Sequence, residues 1–181
     1  MPRESTTRYA ILGLLSLTPC SGYDIKKMAD MSISHFWSEN YGNIYPVLRV
    51  LEAEGLVERE SGQTPGRPPK SVYCITEQGS RELYDWLMRP AETHPFRNEL
   101  LLKIFFSGDV PFPVIKESLK RESEKQAANL ETYHGIEEML KNNEPYKSQK
   151  ALPLWLATVD YGKRAAVAAV EWCEATIQSL G

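Results

Sequence analysis

From Phe36 to Glu60 the chain reads FWSENYGNIYPVLRVLEAEGLVERE. Asn40, Tyr41, Asn43 and Tyr45 crowd its first part with hydrogen-bonding side chains where a core helix would carry apolar ones. The amide of Asn40 or Asn43 can pair with the N6 and N7 edge of adenine in a major groove. It can equally cap a helix by accepting from the unpaired N–H groups of the first turn. The Tyr45 hydroxyl can donate to a phosphate, a contact that positions a protein on a duplex without reading its sequence. It can also belong to a half-buried surface tyrosine. Arg49 follows one turn after Tyr45 and shares its face. There it can bind a phosphate or pair with Glu52 or Glu54.

Two further groups carry the same chemistry. Between Ser61 and Thr76 no residue is acidic, while Arg67 and Lys70 are basic. On an exposed loop such residues reach a DNA backbone or minor groove, or are merely solvated. Tyr23 and Lys26, in GYDIKKMA, can meet phosphates flanking a groove.

These residues need elements to hold them. Thr7 to Leu17 is apolar almost all round, as a helix in the middle of a small core would be, and it stops before Pro19. Ser21 offers an N-cap to a second helix, with Asp24 near its positive end. Ile25 and Met28 face inward on that helix, and Tyr23, Lys26 and Lys27 face outward. Pro46 fits only near the start of a third helix, which makes Asn43, or a residue just before it, the expected cap. Ile44, Val47, Leu48 and Leu51 then form its buried side, and Gly55 ends it. Leu56 to Glu60 and Ser71 to Ile75 are β-prone runs around a Gly/Pro-rich connector, which reads as a hairpin with a long tip. Thr76 caps a fourth helix that turns Leu83 and Leu87 inward and stops at Pro90.

Three helices, a hairpin and a helix in about ninety residues make a winged helix-turn-helix plan, in which the third helix can enter a major groove and the hairpin can reach the flanking backbone. The expected fold is mainly α, with a winged helix-turn-helix domain over residues 1–90 and a C-terminal helical dimerisation domain over 91–181. In the second half, a short helix carries Leu101, Leu102, Phe105 and Phe106. A long helix of thin apolar content runs from about Val114 to Lys141. The last helix, from about Pro153, carries Leu152, Leu156, Val159, Lys163, Ala166, Val170, Cys173, Ile177 and Leu180 at alternating steps of four and three. That seam can meet a second subunit or pack on the preceding long helix.

Three ordered segments carry a family resemblance: YAILGLLSLTPCSGYDIKK, GNIYPVLRVLEAEGLVERE and GRPPKSVYCITEQGSRELYDWL. Together they resemble the winged-helix domain of PadR-family transcriptional regulators. RNELLLKIFFSGD and the long terminal helices resemble the larger PadR subgroup, whose C-terminal domain is helical and related in name to virulence activators. The resemblance implies a homodimeric repressor, less often an activator, that binds a palindromic operator in double-stranded DNA. In the phenolic-acid-sensing members a small aromatic effector releases the protein. Tyr45 matches the tyrosine of the family's Ile-Tyr-Pro motif. Tyr41 falls where this chain varies from the family pattern, which makes it a candidate for sequence preference. For an effector site, Tyr9, Trp37 and Trp155 are the candidate aromatic walls, and Arg97 or His35 can hold a carboxylate; the competing reading of these aromatics is core.

Composition bounds the other classes. The chain has 181 residues, is 42% hydrophobic and 25% charged, and has a net charge of -3, ordinary for a globular protein. Residues 1–90 hold ten Lys/Arg and eleven Asp/Glu, so any DNA affinity must come from local basic tips rather than bulk charge. No apolar run approaches a membrane span, and MPRESTTRYA lacks a signal-peptide layout; a cytoplasmic protein is expected. His35, His94 and His134 have no metal-ligand spacing with Cys20, Cys74 or Cys173, and the thiols are expected to be buried. No nucleophile, phosphate-loop or dinucleotide motif is present. No catalytic residue, metal or cofactor is assigned. The alternative function is a winged-helix protein-interaction module that does not bind DNA sequence-specifically.

Overall fold

The computed structural model describes residues 6–34, 36–37, 44–62, 70–92, 97–144 and 146–181. It divides into two compact units, Met1–Thr93 and His94–Gly181.

The first unit is built around α1 (Thr6–Leu17), whose Ile11, Leu12, Leu14 and Leu15 are all buried. α2 (Gly22–Ser32) begins in a capping box: the Ser21 hydroxyl accepts from Asp24 N–H and the Asp24 carboxylate accepts from Ser21 N–H. Two otherwise unpaired donors are satisfied at once, which fixes the point where the chain enters the helix. α3 (Ile44–Ala53) buries Ile44, Leu48 and Leu51. Val47 is half-buried against the same core. After α3 the chain reverses at Gly55, whose φ of 72° is the left-handed value that ends helices and that a Cβ disfavours.

The wing follows. β1 (Val57–Gly62) and β2 (Lys70–Ile75) pair antiparallel from Val57↔Ile75 to Gly62↔Lys70. A bridge between Cys20 and Tyr73 ties β2 to the start of α2, with N···O distances of 3.2 and 3.0 Å. Thr76 joins two elements. Its Oγ1 donates to the Gly55 carbonyl at 2.8 Å and accepts from Gly79 N–H at 3.0 Å, which caps α4 (Glu77–Met88). On α4 Leu83 is buried, but Leu87 is 63% exposed, against the inward placement expected of it. The inward stripe steps by three from Leu83 to Trp86 instead, because the Trp86 ring stacks on Tyr9 of α1 with centroids 4.6 Å apart.

The second unit is helical: α5 (Glu99–Phe105), α6 (Phe112–Asn142) and α7 (Leu152–Ser179). α6 and α7 run antiparallel. Lys116 near the start of α6 donates to the Gly181 carbonyl, and Glu137 near its end pairs with Lys163. Every seam position of α7, from Leu152 to Leu180, is buried or half-buried, so the heptad-like stripe is occupied within the chain, against α6. Glu137 also pairs with Lys141. Hydrogen bonds from Lys141 and then Lys163 hold its carboxyl down at about 2, below the ordinary 4.5. The middle of α6 carries a half-buried polar ladder beside its solvated face: Gln126 donates to Glu122 at 2.6 Å, and Asn129 to Gln126 at 3.2 Å.

Packing selects the inward stripe of α5 and corrects one further expectation, on the thiols. On α5 the inward residues are Leu100 and Ile104, while Leu101, Leu102, Phe105 and Phe106 are exposed by 40, 59, 81 and 74%. All seven residues of the helix except Glu99 and Lys103 are apolar, so composition could not say which stripe turned in. Of the thiols, Cys20 and Cys173 are buried but Cys74 is half-buried. Alternation along β2 puts Tyr73 inward and Cys74 on the other face, opposite Glu58. Desolvation, then Glu60 and Glu58, push the Cys74 thiol up.

Candidate nucleic-acid interface

α3 separates a buried face from a solvent face. Tyr45 and Arg49 stand on the solvent face, one turn apart, and both are exposed. Arg49 forms no ion pair among the described residues. Glu54 pairs instead with Arg8 of α1 at 2.5 Å, which leaves the guanidinium of Arg49 available to an anion. On α2, Tyr23 (69% exposed), Lys26 and Lys27 all face solvent.

The Tyr45 ring rests against the first turn of α2. A Cβ built on Gly22 would stand 2.7 Å from Tyr45 Cε1 and 3.0 Å from Cζ. The phenol of α3 and the outward side of α2 therefore lie side by side, next to Tyr23 in the chain. Together Tyr23, Tyr45, Lys26, Lys27 and Arg49 present two phenols and three cations to solvent from adjoining helices. That set can donate to phosphate oxygens from several directions.

The remaining residues singled out from sequence are placed unevenly. Asn40, Tyr41, Asn43 and Arg67 lie outside the described residues, as does His35. Lys70 is the first residue of β2, opposite Gly62. Of the aromatic candidates, Tyr9 is 2% exposed. Its ring is stacked on Trp86, and its hydroxyl lies 3.1 Å from Glu82 Oε1. Trp37 is half-buried just after α2, and its indole Nε1 is buried with no hydrogen-bond partner among the described residues. Trp155 is half-buried on α7 of the second unit.

Sequence reasoning passed over two residues. Arg59 is exposed on β1 and alternates with Glu58 and Glu60, so it lies on the opposite face of the strand from the two carboxylates. Period-two alternation in VERE was the signal for it. Gly22 had no signal, since nothing in the sequence says which ring will lie on it.

Comparison with known proteins decides the family. The curated negative transcriptional regulator PadR of Bacillus subtilis is 31% identical over 156 residues, covering 86% of this chain and 82% of that protein. Residues 11–85 match the Transcriptional regulator PadR-like family. The chain belongs to that family. Residues 96–181 match the Virulence activator alpha C-term family as well, so the second unit has its own counterpart. Among solved structures, Bacillus subtilis PadR in complex with operator DNA superposes with a TM-score of 0.84 at 26% identity, covering 98% of this chain and 100% of that one. The same protein in complex with p-coumaric acid gives a TM-score of 0.78 at 26% identity over 97% and 99%. The fold is thus the winged helix of PadR-type transcriptional regulators, which are DNA-binding proteins and not enzymes.

Proposed function

We propose that this PadR-type regulator is a homodimeric repressor that binds a palindromic operator and is released by a small aromatic acid. α3 enters the major groove, with Asn40, Tyr41 and Asn43 leading it and Tyr45 and Arg49 on its flank. Tyr23 and Lys26 meet adjoining phosphates, and Arg67 and Lys70 act from the wing. The observation that carries this reading is the solvent face of α3. Tyr45 and Arg49 stand on it unburied, beside the outward Tyr23 and Lys26 of α2, while the opposite face is anchored by Leu48 and Leu51. A related PadR that is 26% identical has been solved with operator DNA, which supports the same use of the fold.

The dimer is assigned to the C-terminal helices. The seam of α7 packs on α6 but stays half-buried at six of its nine positions, and further support comes from exposed apolar side chains. α5 exposes Leu102, Phe105 and Phe106, the start of α6 exposes Phe112 and Val114, and α7 exposes Leu154 and Tyr161. Apolar side chains exposed in a short run, from Leu102 to Val114, favour association. Tyr9 is taken up by the core of the first unit, and the effector contact is assigned to Trp37. Trp37 has the strongest support, because a buried indole N–H without an acceptor among the described residues is costly until something accepts from it, and a carboxylate or phenol oxygen does so. A PadR solved with p-coumaric acid supports a small aromatic acid as the ligand. As a regulator of DNA, the protein acts in the cytoplasm.

Purified protein should retard DNA from upstream of its own gene, and the complex should weaken steeply with salt as counterion release requires. Hydroxycinnamic acids should dissociate it. Failure to bind that DNA at low salt would leave the winged helix as a protein-interaction module.

A further inference from the structure

We infer that Gly22 is a positioning residue for DNA binding, acting through the ring of Tyr45. The inference rests on the reading of Tyr45 as a phosphate contact. Gly22 is the first residue of α2 and is buried. It is not among the described glycines with positive φ, which are Gly55 and Gly181, so its backbone conformation is open to any residue. What excludes a side chain is the neighbouring helix. A Cβ at Gly22 would stand 2.7 Å from Tyr45 Cε1, 3.0 Å from Cζ and 3.3 Å from Cδ1. These three consecutive atoms form the ring edge that leads to the hydroxyl. The glycine is therefore the floor on which the hydroxyl-bearing carbon rests.

The floor is held firmly and the ring is not. Residues before Gly22 are fixed by the Cys20–Tyr73 bridge to the wing and by the Ser21–Asp24 capping box. Tyr45 is 54% exposed. A methyl group at Gly22 moves the phenol rather than the backbone, and it swings the hydroxyl away from α2 and its neighbours Tyr23 and Lys26. The same packing makes the i,i+4 pair on α3 and the outward face of α2 one surface.

The test is a double-mutant cycle on DNA binding, using a duplex of arbitrary sequence at low salt, since a phosphate contact serves every sequence. Gly22→Ala, Tyr45→Ala, Tyr45→Phe and the double variant Gly22→Ala/Tyr45→Ala are compared by fluorescence anisotropy, with the thermal midpoint of each recorded. Tyr45→Phe and Tyr45→Ala should each raise Kd about tenfold, the value of one hydrogen bond to a charged group. Gly22→Ala should raise it by a similar factor, yet add nothing once the ring is gone. The double variant has room for the new methyl group, so it keeps the cycle readable if Gly22→Ala alone folds poorly. Equal weakening by Gly22→Ala with and without the Tyr45 side chain would overturn the inference, as would normal binding by Gly22→Ala beside a weakened Tyr45→Ala. Normal binding by Tyr45→Ala would overturn the phosphate contact itself, and the positioning role with it.

Discussion

Single residues divide here into those that hold and those that reach. Arg8 holds, through Glu54 at the end of α3; Arg49 reaches, and that difference predicts different outcomes. Arg49→Ala should leave the thermal midpoint almost unchanged and weaken every DNA sequence by about the same factor, with the salt slope reduced by about one, as for a single phosphate-binding cation. A titration of Kd against salt for two unrelated duplexes checks this. Glu137 holds too, and its sign can be worked out. Its folded value of about 2 lies below the ordinary 4.5, so the stabilisation is present above 4.5 and is lost as pH falls toward 2. Glu137→Gln should therefore unfold with a shallower pH dependence between those values than the parent. An acid titration followed by circular dichroism reads the difference directly. Trp37 belongs to the reaching group: Trp37→Phe, which removes the indole N–H and keeps an aromatic ring, should weaken hydroxycinnamate binding while leaving DNA binding intact. Calorimetry measures it without relying on the remaining tryptophans as reporters.

Among the elements, the winged helix was legible because each boundary has its own chemical mark. Ser21, Gly55 and Thr76 stand where a cap, a left-handed turn and a cap are needed, and the structure uses each of them so. Thr76 closes both the turn after α3 and the start of α4. Thr76→Ala should thus cost about 1–2 kcal/mol and lower the melting temperature of the protein by several degrees, more than a cap at a single helix end. What was not legible was the choice between equally apolar stripes. Leu87 and Trp86 are both large and apolar, and only the presence of Tyr9 across the gap turns Trp86 in. In ELLLKIF nearly every position could face the core, and the sequence has no way to say that Leu100 and Ile104 do. The α7 seam shows a further limit. Its period was plain, but a period of about 3.5 names a helical partner without naming which helix, and the partner is α6 of the same chain. At the candidate interface, the outward placement of Tyr45 and Arg49 on α3 and of Tyr23 and Lys26 on α2 could be read from residue type and spacing. The seating of Tyr45 on Gly22 could not, since it depends on a contact between helices.

For the whole molecule, a net charge of -3 and a DNA-binding family are compatible only if cations gather locally. Lys26, Lys27 and Arg49 do gather on the outward sides of α2 and α3, while Glu137 and Glu54 are engaged in internal pairs. In the proposed dimer two weak half-sites in register would bind as one strong site. Replacing Phe105 and Phe106 of α5 by serine should leave the helical signal intact and give a monomer mass in light scattering, with operator binding reduced by far more than either phenylalanine could contribute by contact. Sequence reading by α3 is the proposal on which the rest depends. A footprint of the purified protein on DNA from upstream of its own gene, with unrelated duplex as competitor, tests it without intermediates. A short protected segment with two-fold symmetry is expected, surviving excess competitor and disappearing on addition of a hydroxycinnamic acid. Uniform protection, or none, at every protein concentration would refute it.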